Sequence, residues 1–251
     1  AVANKSTHEQ ADELWDFILK HKTVHLSDLE LDALKLKAKH IQPVHDNVRV
    51  SSTEDDAGGK KTGSRKHKVD AGGVKWPSAM KAVVPGWKAL VAAGGKPKGG
   101  GKRGGTKRAR GSDEAPPATD AEATAVPHGA PFVVVASTSA RRAVAVRHCL
   151  VPLHWKVAKL FAKHMKVTEQ GEGLAASVWH AGVGTPSRIS TLIEGGYLLP
   201  DRMVTLILDT APNSKGYDIL TLKETQADVA DLLAHHILPL TATGRAKIAL
   251  V

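Results

Sequence analysis

The sequence has very little cysteine and few aromatic residues. Cys149 is the only cysteine among 251 residues, which excludes an intramolecular disulfide and any zinc site built from several cysteines. Three Phe, five Trp and two Tyr are few for this length, whereas 23 Gly and 13 Pro are many. The combination predicts one compact domain joined to long unstructured connections.

Long apolar runs are also missing. No stretch approaches the roughly 20 apolar residues that a membrane-spanning helix needs. The first ten residues, AVANKSTHEQ, lack the apolar core of a secretory signal. These absences predict a soluble, intracellular protein with no membrane partner, and a reducing compartment agrees with the single cysteine.

A phosphate-binding loop is absent as well. No stretch matches GxxxxGK[ST] between a strand and a helix, the pattern with which many nucleotide-hydrolysing enzymes hold phosphates. The nearest segment, Gly100 to Lys107, has neither the spacing nor a strand before it. We therefore expect no nucleotide cofactor and no catalytic metal.

What the chain does carry is positive charge. It has 35 Lys and Arg against 25 Asp and Glu, which gives a formal net charge of +10. A balance this basic favours polyanionic partners, and nucleic acid is the simplest of these.

Composition divides the chain into five parts. The segment GGKPKGGGKRGGTKRARG, Gly94 to Gly111, is basic without any acidic residue, and an acidic Pro/Ala-rich stretch extends this linker to Pro127. Such segments bury too little apolar surface to offset the entropy of ordering them. The predicted parts are an N-terminal helical docking segment, a disordered insert, a short helical segment, a disordered basic and then acidic linker, and the main domain: residues 1–50, 51–73, 74–93, 94–127 and 128–251.

Two pieces before the linker have helical character. THEQADELWDFILKH carries its apolar residues on one helical face, with Thr7 predicted as the N-cap and Gln10 as its partner in a capping box. Ser27 or Asp28 is expected to cap a second short helix. The other piece is WPSAMKAVVPGWKALV, Trp76 to Val91. Neither piece is large enough to fold alone, so we expect both to pack on the main domain or on a partner.

From Pro131 onward, strand and helix patterns alternate. Apolar runs predict strands over residues 132–136, 157–162, 177–184, 203–209 and 246–251. Helices are predicted over residues 139–150, 186–194 and 222–238. Strands separated by helices of this length predict an α/β fold, a parallel sheet with helices on both faces.

Three strand-to-helix junctions have distinctive sequences. They read ASTSARR, GVGTPSR and LDTAPNS, and in parallel α/β folds such junctions are where ligands bind. Their sequences and their order along the chain resemble the motifs in the first RecA-like domain of DEAD-box RNA helicases. The resemblance implies RNA-backbone contacts at the first two junctions and a magnesium and hydrolysis site at the third.

The third junction departs from the helicase pattern. Asp209 is present, but Thr210 replaces the carboxylate that would polarise water. Only residues 128–251 carry the α/β pattern, so a second RecA-like domain is missing too. ATP hydrolysis and strand separation are therefore not expected, and Asp209 is interpreted as a polar residue that closes a strand.

A narrower resemblance covers residues 128–251. The segments VAKLFAKHMKVTEQ, HAGVGTPSRISTLIEGGYL and ADLLAHHILPLTATGRAKIALV are similar to the Cms-one family, named for complementation of an Mcm-ten suppressor. The resemblance implies a degenerate, non-catalytic helicase-like domain in the small-subunit processome, the early pre-ribosomal particle that contains a small nucleolar RNA. It also implies a nuclear, nucleolar location, with pre-ribosomal RNA and processome proteins as partners. Ser187 stands where such proteins usually carry glycine.

The candidate RNA contacts are the cations and hydroxyls at the first two junctions, after the second strand and in the basic linker. They are Thr138, Arg141, Arg142, Lys163, Lys166, Thr185, Ser187, Arg188, Lys102, Arg103, Lys107, Arg108 and Arg110. A cap at Thr185 and the helix N-terminus after it suit a phosphate. TPSR alone is also typical of an ordinary helix start, but its occurrence with the other two junctions in this order favours the phosphate contact. Each cation alone is also explained as a solvated charge. The linker fits a nuclear localisation signal, an RNA-binding arm or both, and a merely solubilising linker is the alternative.

Three functions stay open at this point. The first is a non-catalytic assembly factor, preferred because junctions of the RNA-contact type are retained while the nucleotide machinery is missing. The second is a nucleotide-dependent enzyme with an unrecognised site, and the third is a protein-only scaffold in the same particle. Homo-oligomerisation is not expected, and the pair His235 and His236 is expected at a surface rather than on a metal.

Overall fold

A computed structural model describes residues 2–23, 25–44, 48, 73–93, 126–161 and 165–251. None of the helices in these ranges is long and apolar enough to cross a bilayer. Most of the predicted insert at 51–73 and of the predicted linker at 94–127 lies outside the described residues. Their disorder stays a prediction.

A five-stranded sheet in the order β2-β3-β1-β4-β5 forms the centre of the described fold. All neighbouring strands are parallel. The strands are β1 Val133–Ala136, β2 Val157–Leu160, β3 Ala181–Gly184, β4 Thr205–Leu208 and β5 Lys247–Leu250. The predicted α/β class with a parallel sheet is confirmed, and the arrangement is consistent with a RecA-like domain.

Helices connect the strands and precede them. Their bounds are α1 Thr7–His21, α2 Asp28–Leu34, α3 Trp76–Val83, α4 Trp87–Ala93, α5 Ala140–Cys149, α6 Val167–Ala175, α7 Pro186–Glu194, α8 Lys223–Asp231 and α9 Leu238–Ala242. The bounds predicted for α7 are confirmed. The single helix predicted over 222–238 is instead α8, a π-helical segment Leu232–Ile237 and the start of α9.

Helices cover both faces of the sheet, as predicted. Successive side chains of a strand point to opposite faces, and in β1 Val134 joins one hydrophobic cluster while Val133 joins the other. The first cluster includes residues of α1, α6, α7 and α8, and the second includes residues of α3 and α5. All four residues of β1 are buried, which explains its continuous apolar run.

The N-terminal helix α1 packs on the first face, but it begins differently from the prediction. Ser6, not Thr7, is the N-cap: its hydroxyl accepts from the Glu9 N–H, and the Glu9 carboxylate accepts from the Ser6 N–H at 2.9 Å. Glu9 stands at the position that completes a capping box on Ser6. Gln10, predicted for that role, is buried and donates to the Lys5 carbonyl instead.

The second helical piece packs on the opposite face. Trp76, Met80 and Val83 of α3 are fully buried in the second cluster. The Thr205 hydroxyl of β4 donates to the Val83 carbonyl at 2.8 Å. Both N-terminal pieces therefore contribute to the core of the main domain, and α2 also begins as expected, with Ser27 as its N-cap.

Strand β5 lies at one edge of the sheet, and a segment from the N-terminal region covers it. Ile41 forms an isolated parallel bridge with Ile248, and the Gln42 N–H donates to the Ile248 carbonyl at 2.7 Å. An uncovered edge presents unpaired backbone groups that invite non-native pairing. The segment around Ile41 thus protects this edge.

The helix α6 has no counterpart among the predicted elements. Its sequence, VTEQGEGLA, contains two glycines, and each glycine costs about 1 kcal/mol of helix propensity relative to alanine. Burial of Leu174 and Gln170 against the sheet stabilises the helix in spite of this. Residues 177–180, predicted as strand, instead follow the end of α6, where the Ser177 N–H donates to the Leu174 carbonyl.

The single cysteine gives a test of the packing of α5. Burial raises the pKa of the Cys149 thiol, and Arg142 offsets part of this rise. Because the thiolate is the reactive form, alkylation by iodoacetamide at neutral pH is expected to be at least several-fold slower in the folded protein than in urea. Mass spectrometry over time measures both rates, and equal rates would contradict this packing.

Candidate nucleic-acid interface

The three junctions singled out in the sequence lie side by side at the carboxyl ends of the strands. The loops after β1, β3 and β4 follow adjacent parallel strands. Backbone hydrogen bonds join them: the Ser137 N–H donates to the Gly184 carbonyl at 2.8 Å, and the Asp209 N–H donates to the Ala136 carbonyl at 3.0 Å. The carboxyl ends of the three central strands therefore form one surface.

A cleft opens between the first and third junctions. The chain leaves β1 toward β2 and leaves β4 toward β5, in opposite directions across the sheet. Such a reversal between neighbouring strands is where open α/β sheets form ligand crevices. Here it forms a cavity of about 380 Å³. Its lining residues are Thr138, Ser139, Arg141, Arg142, Ala145, Ala211, Pro212, Asn213 and Ser214.

The cleft is suited to an anion. Two arginines and no carboxylate are among its lining residues. Arg141 is exposed, and Ser139 caps α5 by accepting from the Arg142 N–H at 3.2 Å. Predicted contacts Thr138 and Arg141 thus lie in one crevice, together with Asn213 and Ser214, which the motif comparison did not identify.

Arg142, also a predicted RNA contact, makes an ion pair within the fold. Its Nε donates to Asp209 Oδ2 at 2.6 Å and its terminal nitrogen donates to Asp209 Oδ1 at 3.0 Å. The Asp209 side chain is 1% exposed and that of Arg142 is 13% exposed. A metal ion at Asp209 would have to displace this guanidinium, so the pair opposes magnesium binding there.

The pairing of these two residues was missed in the sequence. Asp209 lies where the sequence predicts it, as a polar residue at the end of a strand, whereas the sequence predicts an RNA contact for its partner Arg142. The missing information was the sheet order, since β1 and β4 are neighbours although they are distant in the chain. Thr210 is also structural here: its hydroxyl donates to the Val251 carbonyl at 2.9 Å.

The GTPSR junction follows β3. Thr185 has extended backbone angles and occupies the N-cap position of α7, but its hydroxyl makes no capping hydrogen bond, contrary to the expectation. Pro186 fits the first turn because its missing N–H needs no partner there. Ser187 is exposed, whereas half-buried Arg188 donates to the Met165 carbonyl at 3.3 Å.

The remaining predicted cations are distributed as follows. Lys166 is exposed and precedes the first residue of α6. The other six lie outside the described residues: Lys163, Lys102, Arg103, Lys107, Arg108 and Arg110. The roles of all the predicted contacts in RNA binding stay predictions.

Metal binding has no support in the described part of the chain. No group of three or more His, Cys, Asp or Glu with the geometry of a metal site is found there. His235 is exposed, and His236 Nε2 lies 3.5 Å from Glu194 Oε1. Burial lowers the pKa of His236, although Glu194 opposes this shift.

The chain is similar to a family of known proteins. A family model, described as CMS1, U3-containing 90S pre-ribosomal complex subunit, matches residues 118–251, more than half of the chain. The chain belongs to the CMS1 family. The matched region contains the whole parallel sheet and all three junctions. The family suggested by the sequence motifs is thereby confirmed.

Curated relatives carry the same family name. Over 96 residues the chain is 35% identical to Protein CMSS1 of Danio rerio and 36% identical to Protein CMSS1 of Homo sapiens. Over 111 residues it is 36% identical to Protein CMS1 of Chaetomium thermophilum. These alignments cover 38%, 38% and 43% of this chain but only 33%, 34% and 44% of the relatives. The chain therefore matches less than half the length of each.

Proposed function

We propose that this CMS1-family chain is a non-catalytic ribosome biogenesis factor of the U3-containing 90S pre-ribosomal complex. It binds pre-ribosomal RNA and assembly-factor proteins in the nucleolus during small-subunit maturation. The observation that supports RNA binding is the cleft at the carboxyl ends of the strands, which has the exposed Arg141 and no carboxylate in its lining. A cationic crevice of this kind fits the phosphate backbone, which supplies most of the affinity in sequence-independent binding.

The absence of catalysis is part of the same proposal. Two features support it. The guanidinium of Arg142 lies on the carboxylate of Asp209, and the hydroxyl of Thr210 donates to the carbonyl of Val251, the residue after β5. The chain also lacks a phosphate-binding loop sequence. No hydrolysis of ATP or GTP is expected with or without RNA. RNA-stimulated hydrolysis that Asp209→Ala abolishes would favour the nucleotide-dependent enzyme instead.

A charge reversal at the cleft tests RNA binding. Arg141→Glu is expected to weaken binding of a 20-nucleotide single-stranded RNA about five- to tenfold and to lower the slope of log affinity against log salt by about 1. Fluorescence anisotropy at several salt concentrations measures both quantities. The physical reason is the loss of one phosphate contact and the repulsion from the new carboxylate.

The matched control makes the same charge change at the amino end of a strand, on the side of the sheet away from the cleft. Lys247 is exposed at the amino end of β5, so Lys247→Glu changes the net charge equally without touching the cleft. Equal losses in both variants would mean that net charge alone governs binding. If the wild-type chain binds no RNA and does not crosslink to it in nuclear extract, the protein-only scaffold is correct.

A further inference from the structure

A second surface lies away from the cleft, along the free edge of β2. A groove of about 290 Å³ runs between α5 and α6 on the outer side of this strand. Its apolar lining includes Val157, Phe161, Met165, Leu174 and Trp179. Val157 and Phe161 pack against one hydrophobic cluster of the sheet, whereas Leu174 belongs to the other cluster and Trp179 packs against it. Both cores therefore reach the surface at this edge.

Two features mark the groove as a docking surface rather than ordinary exposed surface. Met165 is 42% exposed, whereas Met80 and Met203 are fully buried. Gly173 lies in the groove wall on α6, and a Cβ added there would meet nothing within 4 Å. The groove thus has a flexible, polarisable side chain on one side, which suits adaptable recognition of apolar groups, and open space on the other.

The free strand edge itself does not invite another strand. Arg147 Nε donates to the Val157 carbonyl, and the Gln170 amide donates to the Lys159 carbonyl. Side chains thus already occupy these two outward acceptors, as in protected edges of other sheets. The Gln170 amide oxygen, in a residue only 6% exposed, has no hydrogen-bond partner within the described chain.

Charge at the rim selects the occupant. Arg147 and Lys159 line the groove, and Lys156 Nζ lies 4.9 Å from the ring centroid of Trp179, while Glu169 is the one carboxylate in the lining. The cations surround an apolar floor. Because the Trp179 indole N–H already donates to the Leu174 carbonyl at 3.0 Å, the floor offers few donors for reading nucleobases. A protein segment fits this surface better than RNA.

We propose that the groove binds a short acidic segment of a partner protein by accepting one large apolar side chain. The anchor, an aromatic or long aliphatic group, lies against Met165, Leu174 and Trp179. Flanking Asp or Glu residues meet Arg147, Lys156 and Lys159. A buried apolar anchor within a polar rim is the usual energetic design of such interfaces.

Gly173 supplies the decisive variants. Gly173→Trp is expected to fill the groove with an indole ring, because the space beside the Cα is open. Gly173→Ala adds only a methyl group, keeps the groove open and raises helix propensity by about 1 kcal/mol relative to glycine. Thermal melting of both variants checks that they are folded before any binding is measured.

The experiment is a selection followed by a titration. A displayed library of random 12-residue peptides is selected on the full chain, and an enriched peptide is titrated against protein labelled with carbon-13 at the methionine methyl groups. The expected result is enrichment of an aromatic or aliphatic anchor flanked by Asp and Glu, with a shift of the Met165 methyl signal. The signals of Met80 and Met203 stay unchanged as internal references. Gly173→Trp lowers the affinity at least tenfold and Gly173→Ala does not.

Several results would overturn the proposal. One is that selection enriches no acidic peptide, or that enriched peptides leave the Met165 signal unchanged. Another is that Gly173→Trp binds the peptide as well as the wild type does. A single-stranded RNA that shifts Met165 at lower concentration than any peptide would assign the groove to nucleic acid. Since Arg141 lies outside this groove, failure here leaves the proposed function of the cleft unaffected.

Discussion

Replacing Arg142 with methionine is expected to lower the free energy of unfolding by about 3–5 kcal/mol. The reason is the carboxylate of Asp209, which is 1% exposed and accepts two hydrogen bonds from the guanidinium. Methionine preserves much of the side-chain volume but leaves this charge buried without its partner. Urea denaturation monitored by tryptophan fluorescence measures the change, since the midpoint falls at a constant slope when stability alone changes.

A double-mutant cycle separates the pair from other effects of the substitution. Asp209→Asn is expected to cost less, about 1–2 kcal/mol, because the asparagine amide keeps part of the hydrogen bonding. The double variant Arg142→Met with Asp209→Asn is expected to cost less than the sum of the single variants by about 1–3 kcal/mol. Single costs that add to within about 0.5 kcal/mol would mean that the two side chains do not stabilise each other.

The pair of Arg142 and Asp209 also shows which features of the site sequence motifs can predict and which they cannot. The alternation of strand and helix patterns was sufficient to predict the parallel α/β fold. The junctions then pointed to the carboxyl ends of the strands, because ligand sites of such folds lie there. They did not reveal that Arg142 faces Asp209 rather than solvent. Residue-by-residue transfer of contacts assumes that each side chain is free, and pairing across neighbouring strands depends on sheet order, which single segments do not encode.

The other differences between the predicted and observed helices come from interactions that local sequence patterns do not show. The sequence predicts the apolar face of α1 but places its N-cap one residue late, because both Ser6 and Thr7 are good caps. The decisive factor was the carboxylate of Glu9, three positions after Ser6. Helix α6 was missed because its glycines oppose helix formation locally, whereas burial of Leu174 and Gln170 supports it in the folded chain.

Gly184, the glycine of the GTPSR junction, packs closely against strand β2. Replacing Gly184 with alanine is expected to lower the free energy of unfolding by about 3 kcal/mol. An added Cβ would lie 2.5 Å from the Leu160 Cβ and would also overlap the Leu160 carbonyl oxygen. These atoms belong to the neighbouring strand β2, so no side-chain rotation relieves the overlap. The two strands must separate instead.

Gly182, two residues earlier in β3, provides the matched control. Its added Cβ would meet the Leu160 Cδ1 at 2.5 Å, the end of a side chain that can move. Gly182→Ala is therefore expected to cost about 1 kcal/mol, with both variants measured by urea denaturation. Equal costs would mean that β3 accommodates both methyl groups and that β2 is not held rigidly. A much larger cost for Gly184→Ala assigns this glycine to strand packing, and only Thr185, Ser187 and Arg188 of the junction then remain as candidates for a partner.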